Sequence, residues 1–179
     1  MSINGHNIAK YALTVMVLSG AVNSAAFAAD TTINVSGNII SPTCTVSSES
    51  QTVSIPLGEV QANTIAAAKS FSPWSSNYTL NLTGCPSVTT KVNATFAGTA
   101  DTNDANGYAN AASGGSKAVS TQLAKTDGTT FLKNGSSYGN VTVDKGNASF
   151  TVKARLYSEK GSVAPGAVSS AVQVTFTYS

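Results

Sequence analysis

Histidine is almost absent from this sequence: one occurs in 179 residues, and it is His6. The two methionines, Met1 and Met16, lie in the same N-terminal stretch. A chain beginning after residue 28 therefore carries no imidazole, which excludes Ser-His-Asp and Cys-His catalysis. Cysteine is scarce as well, with only Cys44 and Cys85 present. Two isolated thiols without histidine cannot complete a tetrahedral zinc site unless carboxylates join them. Charged residues make up just 10% of the chain. The basic ones are scattered, with only Lys153 and Arg155 close together, so the clustered footprint of a nucleic-acid binder is missing. No phosphate-cradling GxxxxGK[ST] pattern occurs. The longest apolar run, Tyr11–Val22, falls short of the roughly 20 residues a membrane-spanning helix needs.

That run has a different meaning in its context. Lys10 precedes it, and Ala26-Phe27-Ala28 follows with the small-x-small pattern of a cleavage site, so residues 1–28 read as a secretory signal peptide. The mature chain then begins at Ala29. Without Lys10, nine basic residues stand against eight acidic ones, which leaves no electrostatic preference for a polyanion. Export also changes the reading of the cysteines: an even number in an oxidising compartment favours a Cys44–Cys85 disulfide. Closing a loop of that size removes about 4 kcal/mol of unfolded-chain entropy in the usual treatment.

What the chain does contain is alternation. Tyr78, Leu80 and Leu82 alternate with polar residues, as do Val92, Ala94 and Phe96, and again Ala148, Phe150, Val152, Ala154 and Leu156. This period of two is the signature of half-buried strands. Shorter strands are expected at Thr52–Leu57 and around Ala118–Leu123, and one short helical turn within Ala62–Lys69. Asp127-Gly128, Asn134-Gly135 and Lys145-Gly146-Asn147 supply turn signals between runs. The piece Gly98–Lys117, rich in Ala, Asn, Gly and Ser, reads as a flexible loop. Within it Asp101-Thr102-Asn103-Asp104-Ala105-Asn106-Gly107 faintly resembles a calcium loop. Ala105 occupies a ligand position and no glutamate closes the loop, so it reads as a solvated turn. The expected fold is all-β, an immunoglobulin-like sandwich.

Catalysis has little to work with. Carboxylates such as Asp101 with Asp104, or Glu49 with Glu59, could form a glycosidase pair, but no aromatic-rich cleft accompanies them. The single tryptophan, Trp74, is more naturally a core residue than a sugar platform. The chain reads as a non-enzyme without a cofactor or a metal.

The two chain ends alternate as well. Thr31-Thr32-Ile33-Asn34-Val35-Ser36-Gly37-Asn38-Ile39 lies ahead of the first cysteine, and Val172-Gln173-Val174-Thr175-Phe176-Thr177-Tyr178-Ser179 runs to the terminus. Chain ends usually fray unless something ties them down. Gly37 falls on the apolar face of the first strand, among Thr31, Ile33, Val35 and Ile39, where a glycine often marks close approach by another backbone. Two readings stand. It is an ordinary first strand of its own domain, or a strand inserted into a neighbour's groove.

The whole mature chain resembles the chaperone–usher pilus subunits of the type 1 fimbrial family. The resemblance lies in Ala29–Gly37 leading to Pro42-Thr43-Cys44-Thr45-Val46, in Leu80-Asn81-Leu82-Thr83-Gly84-Cys85-Pro86, in Ala94–Ala100, and in Gly166, fourteenth from the C-terminus, with penultimate Tyr178. It implies an incomplete sandwich of six strands over residues 41–179, preceded by a donor-strand extension at 29–40. Donor residues would be Thr31, Ile33, Val35, Gly37 and Ile39. Val172, Val174, Phe176 and Tyr178 would border an acceptor groove, and Gly166, Tyr178 and the carboxylate of Ser179 would serve chaperone recognition. The implied partners are a periplasmic chaperone, an outer-membrane usher, neighbouring subunits and a tip adhesin, with the protein ending in an extracellular fimbrium. Within the family the chain looks most like a minor tip or linker subunit, with a major shaft pilin the close alternative. A secreted carbohydrate-binding module is the alternative of another class.

Overall fold

The structure is a computed structural model, and it describes residues 35–37 and 43–179. The expected signal peptide and the expected donor residues Thr31, Ile33 and Ile39 lie outside the described residues. The chain separates into two units, residues 1–39 and 40–179, and every strand described below belongs to the second.

Nine strands occur among the described residues: β1 (Thr45–Val46), β2 (Ser70–Phe71), β3 (Tyr78–Thr83), β4 (Lys91–Gly98), β5 (Gly107–Ala109), β6 (Ser120–Lys125), β7 (Ser137–Thr142), β8 (Ala148–Ser158) and β9 (Val172–Tyr178). Six of them, β3, β4, β6, β7, β8 and β9, have six residues or more; β7 is not among the strands expected from the sequence. All pairings are antiparallel. One sheet runs β1-β3-β8-β6-β5, with β2 also on β8, and the other runs β7-β4-β9.

β8 organises the larger sheet. Ala148, Phe150, Val152, Ala154 and Leu156 are buried on one face, while Ser149, Thr151, Lys153 and Arg155 take the other. β4 supplies the opposing wall with Val92, Ala94 and Phe96, all essentially inaccessible. Phe150 joins the layers, with Tyr138 edge-on at 5.3 Å and Phe176 at 5.5 Å between ring centroids. Such aromatic pairs add about 0.5–1.5 kcal/mol beyond the area they bury. Cys44 and Cys85 are bonded across 41 residues. The bridge joins the residue before β1 to the chain just after β3, so it holds a two-residue strand that its ladder alone would hold poorly.

One expected strand is absent. Thr52–Leu57 forms no strand: Val53, Ile55 and Leu57 alternate against the core, yet no ladder accompanies them, and Pro56 could not donate to one. The expected short helical turn is present as a 3-10 turn, Ala62–Ile65, which seats Ile65 beside Val119 and Leu156.

Gly98–Lys117 is not the loose loop its composition suggests, and Asp104 is not in a solvated turn. Asp104 is 5% exposed and accepts hydrogen bonds from Ser120 Oγ at 2.6 Å, Gln122 Nε2 at 2.9 Å and the Asn106 N–H at 2.9 Å. Tyr108 is buried in β5 and donates to the Leu132 carbonyl at 2.7 Å; burial pushes its hydroxyl up to about 12. Asn110 donates to the carbonyls of Ser116 and Ala167 and accepts from the Ser169 N–H. Replacing Asp104 with alanine strands two side-chain donors and should cost about 2–3 kcal/mol. Urea unfolding of the variant checks this, and a loss below half a kcal/mol would return the segment to the loose-loop reading.

Candidate functional site

The feature with functional character is an edge. β9 hydrogen bonds to β4 on one side only among the described residues. Its register is regular throughout, from Val92 opposite Tyr178 to Gly98 opposite Val172. Just beyond it Ser179 exchanges both backbone bonds with Lys91, donating to its carbonyl at 3.0 Å and accepting from its N–H at 2.8 Å. In an antiparallel ladder such doubly bonded pairs recur at every second residue. Thr177, Thr175 and Gln173 therefore also face β4. Tyr178, Phe176, Val174 and Val172 turn their N–H and C=O groups to the unpaired side.

The same four residues send their side chains inward. Val172, Val174, Phe176 and Tyr178 pack on the core cluster but stay half-buried, while their β4 neighbours Val92, Ala94 and Phe96 are fully covered. One row thus presents unmet backbone bonds and uncovered apolar surface together, a combination that natural sheets suppress. The opposite edge of the sheet shows that suppression. β7 breaks register against β4 between Val92 and Ala94, and Asn140 adopts φ +60° there, so a bulge spoils the edge as a template. β9 has no bulge, proline, glycine or charge.

The Val53, Ile55 and Leu57 row packs on the same cluster, half-buried and without a ladder. Sequence reasoning assigned it an ordinary strand and missed this character, although the alternation around Pro56 was visible.

The remaining expected residues are dispersed. Gly166 lies in the segment between β8 and β9, where a Cβ would come within 3.3 Å of the Ser116 nitrogen, so it fits against the 114–116 loop and not along β9. Burial raises the Tyr178 hydroxyl above its ordinary value. The Ser179 carbonyl oxygen is already engaged within the chain, accepting from the N–H groups of Thr90 and Lys91 at 2.8 Å each. Val35 and Gly37 are exposed and outside any strand. Trp74 is no core residue: it is half-buried on the outer face of the larger sheet. Among the described residues no group of three or more metal-ligating side chains converges, and no helix is long and apolar enough to cross a membrane.

Comparison with known proteins gives consistent matches. The family model described as "Fimbrial protein" matches residues 33–179. The S-fimbrial adhesin protein SfaS of Escherichia coli is 38% identical over 167 residues, covering 92% of this chain and 96% of that protein. Protein FimG of Escherichia coli is 30% identical over 152 residues, covering 85% and 87% respectively. Among solved structures, a subunit of a chaperone–usher pilus superposes with a TM-score of 0.63 at 17% identity, over 84% of this chain and 96% of that one.

Proposed function

Because this chain belongs to the fimbrial protein family of chaperone–usher pilus subunits, we propose that it assembles into an adhesive fimbria by exchanging strands with its neighbours. The observation that carries this reading is the β9 edge, whose inward side chains are half-covered and whose outward backbone groups are unpaired. A strand laid along β9 would meet both needs at once. It would bond to the N–H and C=O groups of Val172, Val174, Phe176 and Tyr178, and its own alternate side chains would cover the half-exposed side chains of those four residues. The Val53, Ile55 and Leu57 row is our candidate for the second wall of that groove.

The donor we assign is the segment Thr31–Ile39 of another subunit. Ile33, Val35 and Ile39 would enter the groove, and Gly37 would pass where a side chain has no room. Burying three large apolar side chains at about 1.5–3 kcal/mol each amounts to roughly 5–9 kcal/mol before ordering costs, and backbone pairing adds to it. A periplasmic chaperone would hold the groove first, and at the outer-membrane usher the next subunit's extension would replace it. Gly166, Tyr178 and Ser179 are the recognition residues on this reading. The internal bonds to the Ser179 carbonyl leave a chaperone only the other carboxylate oxygen. We place the subunit near the fibre tip; the 38% identity to a protein named as an adhesin supports that over a shaft position.

Two observations test the assignment. Without a chaperone, the exported chain should fail to accumulate as a stable monomer; a well-folded free monomer would refute the incomplete sandwich. Ile33→Asp and Gly37→Leu should each leave chaperone binding intact while reducing addition to a preceding subunit by about two orders of magnitude, since a charge or clash in an apolar groove costs several kcal/mol. Normal fibre entry by both variants would remove the donor assignment. A secreted sugar-binding module, the competing class, would be monomeric and indifferent to these changes.

A further inference from the structure

β9 takes its ladder from β4 alone among the described residues, and a strand with one neighbour opens most readily from its ends. One end is closed by Ser179, bonded both ways to Lys91. The other is closed by Asn110, which follows β5 directly and is 5% exposed. Its Nδ2 donates to the Ala167 carbonyl at 2.9 Å and to the Ser116 carbonyl at 3.0 Å. Its Oδ1 accepts from the N–H groups of Ser169 and Ala112 at 3.0 Å each. An asparagine amide has two donor hydrogens and two acceptor lone pairs. All four are used, and reversing the amide would set like groups against like throughout.

The neighbouring bonds converge on the same stretch. The Ala111 N–H donates to the Ser169 carbonyl at 2.8 Å, and Ser170 Oγ lies 3.0 Å from both the Ala109 carbonyl and Thr121 Oγ1. Residues 167–170 are thus tied to β5 and β6 of the larger sheet just before Val172 opens β9 in the smaller one. Val163 and Val168 pack on Ile65, Val119 and Leu156, which seats the rest of the segment. The corner is crowded: a Cβ on Gly115 would overlap the Ala167 carbonyl oxygen and stand 2.6 Å from Asn110 Nδ2, and one on Gly98, opposite Val172, would stand 2.7 Å from the Ala171 carbonyl oxygen. Lys117 brings a charge to it, with Nζ donating to the Asn110 carbonyl at 3.1 Å.

We propose that Asn110 is a positioning residue for strand capture: by holding Ala167 and Ser169 it fixes where β9 leaves the larger sheet, and so keeps Val172 and Val174 ordered as acceptors. The inference rests on the strand-exchange reading and adds the device that prepares the edge. Asn110 commits its whole amide inside the subunit, so it acts through β9 and not on the incoming strand. That strand can bond along the full row only when Val172 and Val174 are in line with Phe176 and Tyr178. Any residue that must be ordered on arrival subtracts from affinity. An edge lacking its neighbour is therefore held from both ends.

The test titrates a peptide spanning residues 29–40 against the purified full chain and three variants, Asn110→Asp, Gly115→Ala and Asp104→Ala. Asn110→Asp keeps the shape and both accepted bonds but turns an ionised oxygen toward two carbonyls. At pH 7.5 its capture of the peptide should fall at least about tenfold. Hydrogen exchange at the Gln173 amide, which faces β4 at this end, should quicken while that at Thr177 holds. Burial and the facing carbonyls raise the pKa of the new carboxyl, with Lys117 opposing them. Its protonation returns one donor, so capture relative to wild type should recover as the pH is lowered to 5. Gly115→Ala should weaken capture without that pH dependence. Asp104→Ala, argued above to lose stability in the same segment, leaves the four Asn110 bonds in place and should capture as wild type does. Capture by Asn110→Asp equal to wild type overturns the inference, as does an equal fall in Asp104→Ala, which would make the effect one of overall stability. If Asn110→Asp does not fold, Gly115→Ala decides by the same comparison. A wild-type chain that captures no peptide removes the strand-exchange reading itself, and this inference with it, so the two failures are distinct.

Discussion

Replacing both half-cystines, Cys44→Ser with Cys85→Ser, should lower the unfolding free energy by about 4 kcal/mol, the loop-closure entropy for a bridge across 41 residues. Both sulfurs are buried in the main core cluster, so lost packing adds to the entropic term. The effect should also be local in origin. β1 pairs with β3 through only two residues, Thr45 with Thr83 and Val46 with Leu82. Without the bridge this strand has little to hold it, and Leu82, fully buried in the wild type, loses cover. Urea unfolding of the oxidised wild type and the double variant, each with the same partner bound, measures the difference. A loss under about 1 kcal/mol would show that the sheet holds its first strand unaided. Since domains commonly have only 5–15 kcal/mol in hand, a subunit lacking one strand should fail to accumulate when exported under reducing conditions.

Phe176→Asp should do the greater functional damage. Phe176 sits midway along β9, opposite Ala94, with its ring 5.5 Å from Phe150. Because it is half-buried, the subunit itself should lose only about 1–3 kcal/mol, less than for a fully covered phenylalanine. A strand arriving on β9, however, would bury that carboxylate without a partner, and an unpaired buried charge is far costlier than an empty site. Capture of an added peptide spanning residues 29–40 should therefore fall by at least about a hundredfold, near 2.7 kcal/mol. Phe176→Leu should retain most of it. Titration of the peptide against the three proteins separates the cases: equal affinity for all would mean that the groove lies elsewhere. The comparison with Thr175→Asp is informative, since Thr175 points to solvent and should be nearly neutral.

Much of this protein was legible locally. Period-two alternation located β3, β4, β8 and β9 because each has one face in the core and one in water, and that asymmetry is written residue by residue. The disulfide followed from two cysteines in a chain whose first 28 residues read as an export leader. Where alternation misled, at Thr52–Leu57, the side chains do behave as expected; what is missing is a neighbouring backbone, and that is no property of the segment itself. The reading of Gly98–Lys117 as loose failed for a related reason. Asp104 and Tyr108 look like solvated loop residues until Ser120, Gln122 and Leu132 arrive from other segments to satisfy them.

The sequence by itself thus determined the long strands β3, β4, β8 and β9, their buried faces and the covalent bridge, since these rest on patterns within a few residues or on counting. Only the tertiary structure decided that β7 ends its sheet in a bulge while β9 ends it in a regular, half-covered row, and that Asn110 holds Ala167 and Ser169 ahead of that row. Both depend on which distant segments become neighbours. A strand's inward face looks the same in sequence whether the next strand is present or absent, and an asparagine shows nothing of the backbone groups it will bind.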